Sequence, residues 1–211
     1  MTFTLQILGT SAAIQANGRH QSAQVLKIYN QTFLIDCGEG TQEQLKRNKI
    51  NTNKIEKIFI SHLHGDHFLG LFGLISTMSL LGRKKKLVIY GPRGLKEIIS
   101  VQLSFSQSVF NYPLEIIETV DDQEQIIYES KNLEIKAFPL SHGIPCTGFL
   151  FREKQKPRRI DIQNLPFDLS ISQIKALKHG ESFELDDGTP IENEKNTLPP
   201  KKSRSYAYCS D

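Results

Sequence analysis

The chain has 211 residues, of which 38% are apolar, and its 26 Lys and Arg residues outnumber 23 Asp and Glu residues for a net charge of +3. This length allows one large domain or two small ones, and the ordinary content of charged and aromatic residues excludes a disordered chain. The mild positive charge permits a nucleic-acid partner without requiring one. The longest apolar stretch, Phe68 to Leu81, is interrupted by Ser and Thr and is too short for a membrane span, so no membrane partner is expected.

The cysteines and the N-terminus indicate the cellular compartment. Cys37, Cys146 and Cys209 lie far apart and form no Cys-x-x-Cys pair, which argues against a disulfide framework and against a cysteine zinc site. We expect all three to be small buried hydrophobic residues. The first residues alternate like a strand and lack the basic region of a signal peptide. We therefore expect a cytoplasmic protein.

The first 60 residues predict mainly strands. Alternating or β-branched apolar residues place strands at 3–7, 25–28, 32–35 and 55–60. Thr41 is predicted to be the N-cap of a helix that runs through Asn48. The glycine-rich segment 36–40 before it is interpreted as a structural turn that frames a pocket.

Helices and strands then alternate. Apolar periodicity predicts a mostly buried helix over 68–81 and a second helix over 95–105. Further strands are predicted at 87–90, 114–119, 125–128, 133–138 and 147–151. Helices inserted between strands predict an α/β layered sandwich.

The composition changes at residue 152. Five Lys and Arg residues within 152–159 oppose the single Glu153, a helix is predicted over 170–179, and Asp187-Gly188 predicts a hairpin turn. We interpret 152–204 as an excursion from the core and not as a second full domain. Segment 196–203 is polar and contains Pro199-Pro200.

The chemistry is concentrated in segment 61–67, Ser-His-Leu-His-Gly-Asp-His, directly after a predicted buried strand. His62 and His64 are two residues apart, so a strand end would direct both side chains to one side. The loop can return Asp66 and His67 to a neighbouring point. Imidazoles and a carboxylate without thiolates predict a site for zinc, or for iron or manganese.

This His-x-His-x-Asp-His pattern resembles the metallo-β-lactamase superfamily, and further segments resemble the ribonuclease Z family within it. The matching segments are 8–12, 35–42, 60–73 and 89–94, with 138–143 similar to the family's third metal motif and 208–211 to its fourth. The resemblance is dense over 1–151 and looser over 152–211. It implies an αβ/βα sandwich with a two-metal site at the sheet edges.

The resemblance also implies roles for individual residues. His62, His64 and His142 would hold the first of two Zn²⁺ ions, Asp66 and His67 the second, and Asp211 would bridge both. Asp66 would in addition manage the proton of the attacking water. The implied activity is removal of the 3′ trailer from precursor tRNA, which leaves a 3′-hydroxyl on the tRNA and a 5′-phosphate on the trailer. The implied assembly is a homodimer.

Three parts of the chain follow from the resemblance. Residues 1–151 would form the metallo-β-lactamase-type core, 152–204 a protruding, flexible RNA-binding arm, and 205–211 a return strand that ends at the bridging aspartate. The tip of this arm, 166–170, departs from the family's glycine- and proline-rich tip.

Two alternatives remain open. The chain could be another hydrolase of the superfamily, such as a phosphodiesterase or an arylsulfatase. It could also be a non-catalytic fragment, because the family pattern has one more histidine after the bridging aspartate and the C-terminal part of the fold would be missing after Asp211. On that reading the second zinc site is incomplete, the chain binds at most one zinc tightly, cleavage is impaired, and exposed apolar surface promotes self-association.

Overall fold

A computed structural model describes residues 2–165 and 169–211 of the chain. Its strands are β1 (Phe3–Gly9), β2 (Ala23–Ile28), β3 (Gln31–Ile35), β4 (Ile55–Phe59), β5 (Leu87–Gly91), β6 (Leu114–Glu118), β7 (Gln125–Glu129), β8 (Leu133–Leu140), β9 (Cys146–Glu153), β10 (Arg159–Ile160), β11 (Phe183–Glu184), β12 (Pro190–Ile191), β13 (Thr197–Leu198) and β14 (Ser205–Tyr208). Its helices are α1 (Thr41–Arg47), α2 (Gly65–Phe68), α3 (Leu71–Leu80), α4 (Leu95–Ser106), α5 (Ile171–His179) and α6 (Asn193–Asn196), with a 3-10 turn at Thr52–Lys54.

The first six strands form one sheet in chain order. β1, β2 and β3 pair antiparallel, whereas β3, β4, β5 and β6 pair parallel. Every residue of Thr32–Ile35 is buried, as expected for a parallel strand that is covered on both faces. The carboxyl ends of the parallel strands lie at one edge, so the residues after β3 and β4 come together there.

One face of this sheet packs against helices. Leu34 and Ile58 point to this side and join a buried cluster with Leu45 of α1, Ile75 of α3 and Ile99 of α4. All five side chains are at most 1% exposed. Burial of a Leu or Ile side chain stabilises a fold by about 1.5–3 kcal/mol, so this cluster is a main source of stability.

The other face carries aromatic side chains, because residues alternate across a strand. Phe33 and Phe59 are fully buried, and their rings meet edge to face with centroids 5.9 Å apart. Phe149 of β9 meets Phe59 edge to face at 5.2 Å. β9 belongs to a four-stranded sheet in the order β14-β9-β8-β7, so the predicted layered α/β architecture is confirmed in a form that has a helix layer and two sheets.

The chain divides into two compact units. The first comprises Met1–Tyr128, Ile135–Leu150 and Ala207–Asp211, and the second comprises Glu129–Glu134 and Phe151–Tyr206. The second unit contains α5, α6 and two small sheets, β10 with β13 and β11 with β12. Of the expected arm tip, residues 166–168 lie outside the described part of the chain.

A buried ion pair organises the second unit. The Glu153 side chain is fully buried, and its two oxygens accept hydrogen bonds from Arg204 Nη2 at 2.6 Å and Arg204 Nε at 3.0 Å. Lys156 Nζ donates to the same carboxylate at 2.6 Å. A two-pronged Arg–carboxylate contact has a fixed geometry, so it joins the entry of the 152–204 segment to its exit.

The predicted helix over 68–81 differs from the observed one. Its first turn is interrupted at Gly70, whose N–H donates to the carbonyl of Cys37 at 2.9 Å and so leaves the helical pattern. A Cβ at Gly70 would lie 2.2 Å from the carbonyl oxygen of Gly38, so this close approach requires glycine. α3 therefore begins at Leu71, and the exposed Leu80 and Leu81 show that its end is not buried.

One further prediction is corrected. The N-cap of α1 is Gly40 in a left-handed conformation and not Thr41, whose hydroxyl donates instead to the carbonyl of Gly38 at 2.7 Å. The polar segment 196–203 contains β13, which pairs with β10. Within the described residues, no helix is both long and apolar enough to span a bilayer.

The cysteines give a test of the packing. Cys37 and Cys146 are buried as predicted, and burial raises the pKa of their thiols to about 12 and about 11. Cys209 is exposed, so the prediction that all three are buried is wrong for this residue.

Because only the thiolate reacts, a thiol-specific reagent at pH 8 should label one of the three cysteines in the native protein and all three in denaturant. Cys209→Ser should abolish the native reaction, and labelling of a second native thiol would contradict the packing.

Candidate metal centre

Three segments of the first unit supply the candidate ligands. The loop after β4 carries His62 and His64, and the short helix α2 carries Asp66 and His67. His142 follows β8, and Asp211 follows β14. The six candidate residues thus come from the ends of strands, where backbone can leave the sheet and bring side chains together.

Four of these residues converge on one point. Ligand atoms of His62, His64, His142 and Asp211 all lie within 4.8 Å of one another. His62 Nε2 lies 3.1 Å from His64 Nδ1, and His142 Nε2 lies 3.2 Å from the same atom. Two nitrogens bound to one tetrahedral zinc at 2.0–2.1 Å would be about 3.3 Å apart. These two pairs of nitrogens therefore already have the spacing that a single metal ion requires.

The group is buried on one side and open on the other. His62 is fully buried, His142 is half-buried, and His64 and Asp211 are exposed. A catalytic metal site keeps a position open to water or substrate, whereas a structural site is closed. The burial pattern is that of an open site.

Asp66 and His67 lie beside this group. His67 Nε2 is 3.5 Å from Asp66 Oδ2 and 3.9 Å from Asp211 Oδ2. Asp211 therefore faces both the three-histidine group and the Asp66–His67 pair. The second set of donors comprises one imidazole, one carboxylate and a shared carboxylate, which could hold a second ion.

A buried carboxylate supports both sets. Asp36 is fully buried, and its Oδ2 accepts hydrogen bonds from His67 Nδ1 at 2.7 Å, from Ser61 Oγ at 2.9 Å and from Tyr208 Oη at 2.6 Å. Its Oδ1 accepts from the backbone N–H of Ser61 at 2.8 Å. All four donors satisfy a charge that would otherwise be costly to bury.

This network fixes which histidine nitrogens face the cluster. His67 donates its Nδ1 proton to Asp36, so its Nε2 presents a lone pair towards Asp66 and Asp211. Ser61 Oγ lies 3.0 Å from His62 Nδ1 and donates its own proton to Asp36, so it can accept from His62. With its proton on Nδ1, His62 presents the lone pair of Nε2 towards His64. Outer hydrogen bonds of this kind orient metal-binding histidines.

The pKa of His62 agrees with this assignment, whereas that of His67 is shifted in the opposite direction. Burial and the neighbouring His67 lower the pKa of His62 to about 4, so it is neutral at pH 7 and can act as a ligand. Burial acts to lower the pKa of His67, but its hydrogen bond to Asp36 and the negative charge of Asp36 outweigh that effect and raise it. Occupation by a metal ion would displace any proton from His67 Nε2.

Asp36 is the site residue that the sequence interpretation missed, since segment 36–40 was assigned only to a turn. Its backbone has a φ of 54°, in the left-handed region, which turns the carboxylate back under the sheet edge. A signal for it exists: Asp36 directly follows a buried strand, and so does Ser61. Carboxyl ends of adjacent parallel strands meet at one edge, which places these two residues together.

The chain is similar to proteins of known family and structure. A family model described as anti-Pycsar protein Apyc1 matches residues 3–157. The ribonuclease Z of Cytophaga hutchinsonii is 47% identical, over 100% of this chain and 68% of that protein. Human tRNase Z, short form, is similar in structure with a TM-score of 0.65 and 36% identity, over 72% of this chain and 66% of that one. YhfI of Bacillus subtilis, a metallo-β-lactamase fold protein, has a TM-score of 0.53 at 19% identity, over 70% of this chain and 56% of that one.

These similarities identify the fold as that of the metallo-β-lactamases, as predicted from the sequence. The chain spans part of the length of each of these relatives.

Asp36 gives a test of the site. In Asp36→Asn the side-chain amide would face the backbone N–H or the hydroxyl donors, so at least one buried donor would lose its acceptor. We expect the free energy of unfolding to fall by about 2 kcal/mol and the affinity for divalent metal to fall by about tenfold. Denaturant titration and a chelator competition assay measure the two effects. Asp187→Asn, at a carboxylate on the surface of the second unit, should change neither quantity. Unchanged metal affinity in Asp36→Asn would contradict the supporting role of this carboxylate.

Proposed function

The chain belongs to the ribonuclease Z family, the endoribonucleases that process the 3′ end of tRNA, and over residues 3–157 to the family described as anti-Pycsar protein Apyc1; we propose that its cluster of histidines and aspartates holds zinc and removes the 3′ trailer from precursor tRNA. The observation that carries this proposal is the convergence of four donor groups at 3.1–4.8 Å.

The residues present fit zinc. Three imidazoles and one carboxylate form a four-donor set of the type zinc prefers, and we assign the first ion to His62, His64, His142 and Asp211. We assign the second to Asp66 and His67 with a share of Asp211. Zinc in such a site lowers the pKa of water, neutralises phosphate charge and stabilises the leaving oxygen. The set with four donors should bind its ion more tightly than the set with three.

The chain's own residues then have defined tasks. Asp66 is half-buried beside the cluster and accepts the proton of the attacking water. The water oxygen forms a bond to phosphorus, the bond from phosphorus to the 3′-oxygen of the tRNA breaks, and that oxygen takes up a proton. The products are a 3′-hydroxyl on the tRNA and a 5′-phosphate on the trailer. Asp36 and Ser61 keep the ligand rings in place during these steps.

Segment 152–204 is proposed to be the arm that binds the tRNA body. Its cations divide into two groups. Lys154 pairs with Glu129, and Lys156 and Arg204 pair with Glu153, so these charges are partly neutralised within the unit. Other cations are exposed, and among the described residues no carboxylate lies within ion-pair distance of them; they include Arg152, Lys201 and Lys202. We propose that these three contact phosphates of the RNA.

The proposal also includes a cytoplasmic homodimer. Exposed large apolar side chains in the first unit support self-association, since a second copy would remove them from water. They are Leu80 at the end of α3, Phe105 on α4 and Val109 after it, each more than 80% exposed.

Cleavage of a precursor tRNA tests the function. We expect cleavage at the 3′ end of the tRNA, its loss on treatment with a chelator, and its recovery with Zn²⁺. Metal analysis should find at least one tightly bound zinc per chain. His64→Ala should abolish cleavage because it removes the nitrogen that both other rings approach. A small phosphodiester substrate separates the alternative: cleavage of that ester alone would indicate another hydrolase of the same fold.

The arm gives a second test. Replacing Arg152, Lys201 and Lys202 by Gln should raise KM for precursor tRNA on the order of tenfold and leave kcat unchanged, because each loses a phosphate contact. The dependence of binding on salt concentration should weaken by about two to three in slope. Lys195→Gln, which removes an exposed cation already paired with Glu192, should have little effect. An equal loss in both variants would contradict the assignment of specific contacts.

A further inference from the structure

Tyr208 connects the segment that carries Asp211 to the interior of the first unit. It is the last residue of β14 and is 8% exposed, whereas Ala207 and Cys209 on either side are exposed. Its hydroxyl donates to Asp36 Oδ2 at 2.6 Å. A hydrogen bond to a carboxylate is about twice as strong as one between neutral groups, and this one joins residues 172 positions apart in the chain.

Asp211 depends on such an anchor. Its side chain is 57% exposed, so packing does little to hold it. The hydroxyl of Ser210 is buried and has no hydrogen-bond partner among the described residues. Three residues span about 10 Å when extended, so fixing Tyr208 confines the Asp211 carboxylate to a small region that includes the three ring nitrogens.

The other contacts of Asp36 do not need Tyr208. Without the tyrosine hydroxyl, Asp36 still accepts from His67 Nδ1 and from both donors of Ser61. The orientation of the two histidine rings would therefore persist. What would be lost is the side-chain hydrogen bond that ties the 207–211 segment to Asp36, while the pairing of β14 with β9 would persist.

We infer that Tyr208 is a positioning residue that holds Asp211 within reach of His62, His64 and His142 by anchoring its segment to Asp36. It does not contact the substrate or the ligand atoms. The inference rests on the proposed role of this cluster in metal binding and assigns to Tyr208 a share of the affinity that the cluster has for zinc.

Tyr208→Phe tests this inference, because it removes the hydroxyl and keeps the buried ring. We expect the affinity for Zn²⁺, measured by competition with a chromophoric chelator, to fall by about tenfold. Tyr112→Phe is the matched control. Tyr112 is equally buried and donates to the backbone carbonyl of Ile75 at 2.9 Å, away from the cluster. Both variants lose one buried hydrogen bond, so both should unfold at a lower temperature without metal, but only Tyr208→Phe should show a smaller rise in Tm on addition of Zn²⁺.

A double-mutant cycle identifies the route of the effect. If Tyr208 acts through Asp211, Tyr208→Phe should cause no further loss of zinc affinity in an Asp211→Asn background. A loss of equal size in that background would overturn the inference and indicate that the hydroxyl acts through Asp36 and His67. A variant with one glycine inserted between Cys209 and Ser210 keeps the hydroxyl and lengthens the tether, and it should also bind zinc more weakly.

The remaining outcomes are also decisive. Equal zinc affinity in Tyr208→Phe and in the wild-type chain would overturn the inference while leaving the metal site intact. Absence of zinc binding by the wild-type chain in the same assay would overturn the proposed metal site itself. Far-UV circular dichroism of each metal-free variant verifies that the comparison is made between folded proteins.

Discussion

The structure of the site depends on one buried carboxylate. Asp36 accepts four hydrogen bonds from three separate parts of the chain. The donors are Ser61 after β4, His67 on α2 and Tyr208 at the end of β14. A fully buried carboxylate is stable only when its oxygens are satisfied, so each of these segments is held where it can donate. The same bonds that pay the cost of burying the charge set the tautomers of His62 and His67. The hydrogen bonds that stabilise the buried Asp36 carboxylate are therefore the same bonds that orient the histidine rings.

The sequence predicts the parts of this arrangement that are local. The alternation of β1, the β-branched and aromatic residues of β4, and Gly180 at the end of α5 are all short-range patterns, and the structure confirms these elements. The interruption at Gly70 does not follow from such patterns, because its cause is a hydrogen bond to Cys37, 33 positions earlier. Short-range patterns also fail to predict the role of Asp36, because its partners lie far from it in the chain. A motif shows that His62 to His67 are ligand types, but the residue that orients them lies on a neighbouring strand.

The number of Lys and Arg residues in segment 152–159 is larger than the number that stay free to contact RNA in the fold. Segment 152–159 appears as a basic run opposed only by Glu153. In the fold, that one glutamate is fully buried and contacts Lys156 of the run and Arg204 outside it, and Glu129 pairs with Lys154 of the run. The free cations include Lys201 and Lys202, which lie far from the run in sequence. Tertiary ion pairing thus removes two of the five cations of the run from the proposed RNA-binding surface, which also includes cations at the exit of the segment.

The close approach of four donor groups that are distant in sequence couples metal binding to folding. The four candidate ligand residues of the main cluster span positions 62 to 211, so they meet only when most of the first unit is folded. Without a metal ion, three ring nitrogens at 3.1–3.2 Å compete for few protons, and the lowered pKa of His62 reflects the cost of adding a charge there. A bound cation turns these mutually unfavourable lone pairs into favourable contacts. Since the unfolded chain cannot offer the same four donors at one point, a metal ion that binds here stabilises the folded state by the full difference in affinity.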